Sequence, residues 1–291
     1  AVRVNKETLS AQCFSRNIKG DLITLVQEKL RCSFSKALKT ISNIVNFKET
    51  EKIEYQLPFG GFYKNIQKLR NDVVIDIETY SESILDEYGC FPNLMFYEDG
   101  ILPEVQMKYH VGFDTASNRL TIPWYSMDGN SVIGVMGRLN KRVVSTEESK
   151  WLPVIPFPKS KGLYGFSENY KSIREKGILM IGESEKHCQQ LESKGLPIGL
   201  SLGGNNLSKV QANHIKSMFP KTVLVAFDEG LEREQSHHVA EQLKMQNYYK
   251  NSVGYIYDKS GLYLKKGLKQ SPSDLPKQDL HKLIKECVTW I

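Results

Sequence analysis

The chain has little cysteine and no long apolar run. Its 291 residues include five cysteines, which form no Cys-x-x-Cys pair: Cys13, Cys32, Cys90, Cys188 and Cys287. An odd, dispersed set is typical of a reducing compartment and argues against a disulfide framework. The longest apolar runs, such as 177–182 and 222–227, are only strand-sized, so no membrane span is predicted. The first ten residues lack an apolar segment, so we expect no secretory signal and a cytoplasmic protein.

The chain also lacks a large excess of one charge. Lysine and arginine number 39 against 33 acidic residues, which gives a net charge of +6. Positions 1–75 hold 13 basic and 7 acidic residues, whereas the remainder holds 26 of each. A basic bias at one end is compatible with a polyanionic partner. Proteins that bind no nucleic acid often show the same bias, so charge alone leaves both interpretations open.

The hydrophobic content of 40% is sufficient for one large or two modest cores. In segment 1–46, Asp21 and Ser33 precede amphipathic patterns and predict two capped helices after a loop that carries Cys13. Segment 47–75 is polar and contains Pro58-Phe59-Gly60-Gly61, which predicts a linker.

The remaining segments predict a mixed fold, part α+β and part α/β. Residues 76–170 form a basic α+β subdomain, in which Asp128-Gly129 predicts a hairpin and prolines keep a basic stretch extended. Residues 171–260 alternate short apolar runs with helical patterns, which predicts a parallel sheet flanked by helices. A helix is expected within the tail, residues 261–291.

Acidic residues follow two of the predicted parallel strands. Glu183 follows one run, and Asp228, Glu229 and Glu232 follow another. Ligands bind at the carboxyl ends of strands in open parallel sheets, and several carboxylates there would suit Mg²⁺ or Mn²⁺. The same acids also suit helix N-termini, so spacing alone leaves the metal site open.

Three blocks of sequence, in collinear order, resemble bacterial-type (DnaG-like) DNA primases. Cys13–Arg16, 20–23 and 33–38 resemble the second half of the zinc-ribbon domain of that family. Five segments resemble the RNA-polymerase domain of the family: 111–113, 119–123, 128–129, 132–138 and 161–165. Two further segments, 181–183 and 225–228, resemble the acidic motifs of its Toprim fold. The resemblance covers nearly the whole chain. It implies a Toprim-like sheet behind a basic α+β subdomain and a small helical N-terminal remnant.

The resemblance implies synthesis of short RNA primers on single-stranded DNA from ribonucleotides, with Mg²⁺ or Mn²⁺ as cofactor. Glu183 and Asp228 would be the catalytic, metal-binding acids, and Glu229 and Glu232 are the candidates for further ligands. Basic positions that face phosphates in the family correspond to Arg138, Lys150 and Lys161. The family usually has a helicase-binding domain after the Toprim part, and only about 30 residues follow that part here, so the sequence leaves a replicative helicase open as a partner. The family also implies a bacterial or phage source.

Several positions depart from the pattern of the family. Gly230 stands in place of the second acid of an Asp-x-Asp pair, His187 in place of another Asp, and 271–274 replaces a more acidic motif. Arg16 occupies a zinc-ligand position, so we expect no zinc. Two alternatives to an active primase follow: a nucleic-acid-binding module without catalysis, and a Toprim nuclease.

Overall fold

The computed structural model describes residues 2–5, 7–8, 10–13, 18–45, 77–143 and 145–291. The chain divides into two compact units, Ala1–Lys68 and Leu69–Ile291. The predicted linker, residues 47–75, lies outside the described residues, as does Arg16. The predicted boundary near residue 170 falls within the second unit and stays a prediction.

The first unit combines a three-stranded antiparallel sheet with two helices. The strands are β1 (Val2–Val4), β2 (Ser10–Cys13) and β3 (Ile18–Asp21), paired in that order. The predicted helices are confirmed as α1 (Leu22–Leu30) and α2 (Phe34–Ile44). The predicted loop around Cys13 is wrong, because this residue ends β2. Strands of three or four residues are too short to show a periodic pattern, so the sequence did not reveal this sheet.

The start of α1 follows the predicted capping chemistry. Asp21 Oδ1 accepts hydrogen bonds from Thr24 N at 2.8 Å and from Thr24 Oγ1 at 2.9 Å. These bonds satisfy a backbone N–H that has no partner within the helix. They also lower the pKa of Asp21.

The second unit contains a four-stranded antiparallel sheet after three short helical segments. The helical segments are a 3₁₀ helix (Glu82–Glu87), α3 (Leu94–Glu98) and α4 (Pro103–Lys108). The strands, in spatial order, are β4 (Gly112–Asp114), β5 (Arg119–Tyr125), β6 (Val132–Leu139) and β7 (Trp151–Ile155).

The predicted hairpin and extended basic stretch are both confirmed in this sheet. Strands β5 and β6 pair antiparallel across the turn, where Gly129 adopts a left-handed φ of +74° that glycine tolerates without steric penalty. The basic stretch contains the edge strand β7, which includes Pro153. An edge position suits proline because one side of the strand needs no hydrogen-bond donor.

A five-stranded sheet with flanking helices completes the second unit. In chain order its elements are α5 (Phe166–Lys176), β8 (Ile178–Gly182), α6 (Glu185–Ser193), β9 (Gly199–Ser201), α7 (Lys209–Ser217), β10 (Thr222–Val225), α8 (Arg233–Leu243), β11 (Ser252–Ile256), α9 (Lys277–Cys287) and β12 (Val288–Trp290). The spatial order is β12-β11-β10-β8-β9. Strands β8 to β11 are parallel, as predicted, and the unpredicted β12 adds antiparallel to β11.

The core of this sheet explains why its strands appear as uninterrupted apolar runs. Adjacent residues, which point to opposite faces of the sheet, are buried together: Leu179 and Met180 of β8, and Val223 and Leu224 of β10, are at most 5% exposed. Parallel strands covered by helices on both faces need apolar side chains in both directions. Their carboxyl ends reach one edge of the sheet, where the polar residues begin.

Candidate functional site

The two predicted acids meet where neighbouring strands end. Glu183 directly follows β8, and Asp228 lies three residues after β10, which pairs with β8 in parallel register. Glu183 Oε1 accepts a hydrogen bond of 2.9 Å from the backbone N–H of Asp228. The backbone of Glu183 is held in turn by Ser201 Oγ, which donates to its carbonyl oxygen at 2.8 Å. The structure therefore places both side chains together, as the strand-end pattern predicts.

Burial makes this pair of carboxyl groups reluctant to ionise. Burial, followed by the negative charge of Glu183, raises the pKa of Asp228 to about 7, although a hydrogen bond with Ser271 opposes the shift. Burial also raises the pKa of Glu183, against the hydrogen bond from Asp228 N and the charge of Lys269. Two carboxylates held together with little water repel each other. A cation between them would relieve that repulsion.

The pair fits one divalent cation. Mg²⁺ is commonly held by one or two carboxylates, while water and substrate phosphates complete its shell. Among the described residues, no group of three or more His, Cys, Asp or Glu side chains could hold a metal ion. Glu183 and Asp228 could therefore hold one Mg²⁺ or Mn²⁺ only with water or substrate phosphates in the remaining positions of its shell.

The other two predicted ligands line the same cavity as Asp228, but they differ in their contacts. Glu229 Oε2 accepts backbone hydrogen bonds from Gly267 N at 2.9 Å and Lys269 N at 3.3 Å. Glu232 is exposed and precedes α8. Because α8 begins only at Arg233, Asp228 and Glu232 do not share a helical face.

Known structures share this arrangement of sheets. The chain is similar to the zinc-binding and RNA-polymerase domains of the Aquifex aeolicus primase, with a TM-score of 0.56 and 20% identity. The match covers 99% of this chain and 75% of the Aquifex chain. A DnaG primase catalytic domain bound to single-stranded DNA matches 71% of this chain and 77% of its own length, with a TM-score of 0.54 and 16% identity. The chain has the fold of a bacterial DnaG-type primase core.

Sequence comparison adds one curated relative. The SPbeta prophage-derived uncharacterized protein YorJ of Bacillus subtilis (strain 168) is 22% identical over 244 residues, which cover 75% of this chain. The chain spans 63% of the length of that relative. No family model matches the chain.

Within the primase fold, the positions that depart from the family are built differently. Gly230 has a φ of +95°, so an acidic side chain there would be strained. His187 is 1% exposed, and its ring packs against Gly182 while Nε2 lies 3.3 Å from Met180 O. Burial lowers the pKa of His187 to about 4. This imidazole is therefore neutral at physiological pH.

Hydroxyl groups occupy residues 271–274, here called the serine loop, where the resemblance implies a more acidic motif. Ser271 Oγ and Ser273 Oγ lie 3.0 Å apart, and Ser273 Oγ donates to Gln190 Oε1 at 2.8 Å. Gln190 Nε2 donates to Asp274 Oδ1 at 2.8 Å, and Lys194 Nζ donates to Ser273 O at 2.7 Å. Hydroxyl, amide and ammonium groups thus fasten this loop to α6 together with the carboxylate of Asp274, whose negative charge also raises the pKa of Asp228.

The predicted phosphate-binding residues differ in accessibility. Arg138 is 6% exposed, donates to the carbonyl of Leu139 and stacks 5.7 Å from the ring centroid of Trp151. Lys150 is exposed, and partial desolvation, followed by the charges of Arg138 and Lys186, lowers its pKa. Negative charge at Asp228 acts in the opposite direction on Lys150. Lys150 therefore shares an electrostatic neighbourhood with the acidic pair, whereas Arg138 belongs to the sheet.

Lys161 lies farther along the chain, in a 3₁₀ helix (Lys159–Lys161) that rests on α7. Gln211 Nε2 donates to Lys159 O at 3.1 Å, and Ser208 Oγ donates to Ser160 O at 2.5 Å. The turn is therefore fixed by backbone contacts, while the side chain of Lys161 is half-buried.

Sequence reasoning missed several charged residues of this region. Lys186, on α6, forms a 2.7 Å ion pair with Asp99 and stabilises the charged form of Asp228. Glu185 is 2% exposed and accepts a 3.0 Å hydrogen bond from the indole Nε1 of Trp124. Asp258 follows β11, so the strand-then-acid pattern that revealed Asp228 would also have found it. The partners of Lys186 and Glu185 are distant in sequence, and no local signal marks them.

Proposed function

We propose that this protein is a primase-type nucleotidyltransferase that joins ribonucleotides on a single-stranded DNA template. The observation that supports the proposal most is the Glu183–Asp228 carboxylate pair, which occupies the strand ends of a primase-core fold. A bound Mg²⁺ or Mn²⁺ would neutralise charge that develops on the transferred phosphoryl group. The replicative helicase and the DNA template remain part of the proposal as partners.

Residues of the chain supply the remaining electrostatics of this proposal. Glu183 and Asp228 would hold the cation, and because their pKa values are raised, the cation would have to displace protons from them when it binds. Lys150 and Lys186 add positive charge near Asp228. Positive groups beside the transferred phosphoryl group stabilise its negative charge without proton transfer.

The decisive experiment is primer synthesis by the Asp228→Asn variant. Purified protein would be incubated with single-stranded DNA, four ribonucleotides and Mg²⁺ or Mn²⁺, and short RNA products would be resolved by electrophoresis. We expect Asp228→Asn to abolish synthesis, because it removes half of the charge that holds the cation. Affinity for single-stranded DNA should stay within about twofold, because no phosphate contact is lost.

A matched control is Asp279→Asn, which changes an exposed carboxylate on α9 that pairs with Lys282. This variant should make primers at the wild-type rate. Retained synthesis by Asp228→Asn would contradict the assignment of the cation site. Cleavage of the template without incorporation would favour the nuclease alternative.

A nucleic-acid-binding module without catalysis is the second candidate. It is favoured by the serine loop, in which the hydroxyl groups of Ser271 and Ser273 are hydrogen-bonded to each other and the hydroxyl of Ser273 donates to Gln190. A site that holds one cation lacks the second ion of a two-metal phosphoryl transfer. Binding of single-stranded DNA with no product under any divalent metal would support this candidate.

A further inference from the structure

A lysine lies beside the acidic pair at a position that the primase motifs do not account for. Lys186 is on the first turn of α6, three positions after Glu183. Its Nζ lies 2.7 Å from Oδ2 of Asp99, and its side chain is 20% exposed. The charge of Lys186 also favours the ionised form of Asp228. An ammonium group with little access to water is therefore part of the surroundings of the acidic pair.

Asp99, which directly follows α3, holds this ammonium group in one place. Its Oδ1 accepts from Nη1 of Arg142 at 2.5 Å, and Nη2 of Arg142 donates to Met95 O at 3.0 Å. Burial opposes ionisation of Asp99, but the charges of Lys186 and Arg142 outweigh it and lower the pKa. Asp99 is therefore a stable anion with one oxygen on each cation.

Lys186 belongs to a polar stripe along α6, formed by Lys186, Gln190 and Lys194. These residues are four positions apart, so they share one face of the helix and its end. Gln190 Nε2 donates at 2.8 Å both to Asp99 O and to Asp274 Oδ1. A single nitrogen atom therefore joins the segment after α3 to the serine loop.

The serine loop completes the connection to Asp228. Oδ2 of Asp274 accepts from Ser271 N at 2.9 Å, and the side chain of Ser271 is hydrogen-bonded to Asp228. Since Gln190 binds the other oxygen of Asp274, this carboxylate is fixed on both sides. A continuous series of contacts thus runs from Lys186 to Asp228, and it holds the ammonium group and the acidic pair in a defined arrangement.

The charges around Asp228 are balanced by one divalent ion together with this ammonium group. Glu183 and Asp274 act on Asp228 as negative charges and Lys186 acts as a positive one, whereas Asp99 is already shared with Arg142. Two-metal sites need carboxylates that clamp both ions about 3.5–4 Å apart. A second divalent ion beside Asp228 would instead be repelled by Lys186.

We propose that Lys186 is a resident cation of the acidic site, and that Asp99 is the positioning residue that keeps its ammonium group beside Asp228 in the role of a second divalent ion. The inference rests on the proposed function, because it concerns the cation that the acidic pair would hold. Lysine suits this role, since its ammonium group is a compact point charge and α6 fixes its backbone next to Glu183.

The test is titration of the whole protein with Mn²⁺ alone at pH 8.5, measured by isothermal titration calorimetry. Lys186→Gln should bind Mn²⁺ about fivefold more tightly than the wild type, because a charge that repels the ion is removed. Lys186→Arg keeps the charge and can pair with Asp99, so it should bind like the wild type. The control Lys108→Gln breaks the 2.5 Å ion pair between Lys108 and Glu192 at the other end of α6 and should stay within about twofold of the wild type.

A double-mutant cycle tests the role of Asp99. Asp99→Asn should weaken Mn²⁺ binding about fivefold, because the released ammonium group turns to Asp228 and the ion must displace it. In the Lys186→Gln background, Asp99→Asn should change the affinity by less than about twofold. Equal losses in both backgrounds would overturn the positioning role, because Asp99 would then act on the ion without Lys186.

An unchanged affinity in Lys186→Gln, or an equal gain in Lys108→Gln, would overturn the role of Lys186. A wild type that binds no Mn²⁺, or that binds two ions with similar affinity, would overturn it as well. So would a gain in Lys186→Arg, because charge would then not be the cause. Primer synthesis is not part of this measurement. A protein that shows the expected Mn²⁺ affinities but makes no primer would contradict the proposed function and support the role of Lys186.

Discussion

Asp228 should destabilise the folded protein whenever it is ionised and no cation is bound. Its pKa rises from the ordinary value of 3.8 to about 7 on folding. The folded state therefore binds a proton more tightly than the unfolded state between these values, and stability falls as the pH rises through this range. Replacement by the neutral and nearly isosteric asparagine should remove this penalty.

The size of the effect follows from the same pKa difference. The rise in the pKa of Asp228 from 3.8 to about 7 corresponds to a loss of about 4 kcal/mol in the free energy of unfolding once the carboxyl group is fully ionised. Asp228 is partly accessible to water, and solvent screening and relaxation reduce the penalty, so we expect about 2 kcal/mol. The free energy of unfolding of Asp228→Asn should accordingly exceed that of the wild type by about 2 kcal/mol at pH 8.5, and the two should differ little near pH 4.

Equilibrium unfolding in urea at a series of pH values, without divalent metal, measures this directly. Asp279→Asn is the control, and its difference from the wild type should not grow with pH. Addition of Mg²⁺ at pH 8.5 should stabilise the wild type and leave Asp228→Asn nearly unchanged, because ligands stabilise the state that binds them. A difference between Asp228→Asn and wild type that stays constant with pH would refute the reasoning.

Three further predictions concern the same region. The apparent affinity for Mn²⁺ should rise about tenfold per pH unit below pH 7 and level off above it, because Asp228 must lose a proton to bind the ion. Electron paramagnetic resonance of free Mn²⁺ measures this affinity, and a profile that does not change with pH would contradict the raised pKa of Asp228. Lys150→Met and Lys161→Met should each lower the salt slope of single-stranded DNA binding by about one. Arg138→Met should instead destabilise the fold by about 1–3 kcal/mol and leave the slope unchanged, because the guanidinium is buried; a lower slope for this variant would restore Arg138 as a phosphate contact.

Local patterns predicted the elements that carry the carboxylate pair. Apolar runs followed by acidic residues predicted where the two strands end, and Glu183 and Asp228 do lie together there. The Asp128-Gly129 turn and the capping role of Asp21 were also correct. In each case the deciding interaction lies within a few residues of sequence or is set by the alternation of strands and helices.

Contacts between segments that are distant in sequence could not be predicted from the sequence. Glu229 lies next to Asp228, but its partner Gly267 is 38 positions away, and only the folded loop shows where the carboxylate points. The same holds for Gln190 and Ser273, which are 83 positions apart. The strand β12 was missed because three residues after a helix give no alternation to recognise.

The backbone at Gly230 limits how the carboxylate pair can change. With φ at +95°, a side chain at this position is strained even though no atom lies within 4 Å of the space that a Cβ would occupy. Left-handed conformations cost non-glycine residues about 1–2 kcal/mol. A single Gly230→Asp substitution would therefore lose stability before it gained a useful ligand. A second acid at this position would therefore be tolerated better if the turn from 228 to 231 also changed, so a fuller metal site is more accessible through two substitutions than through one.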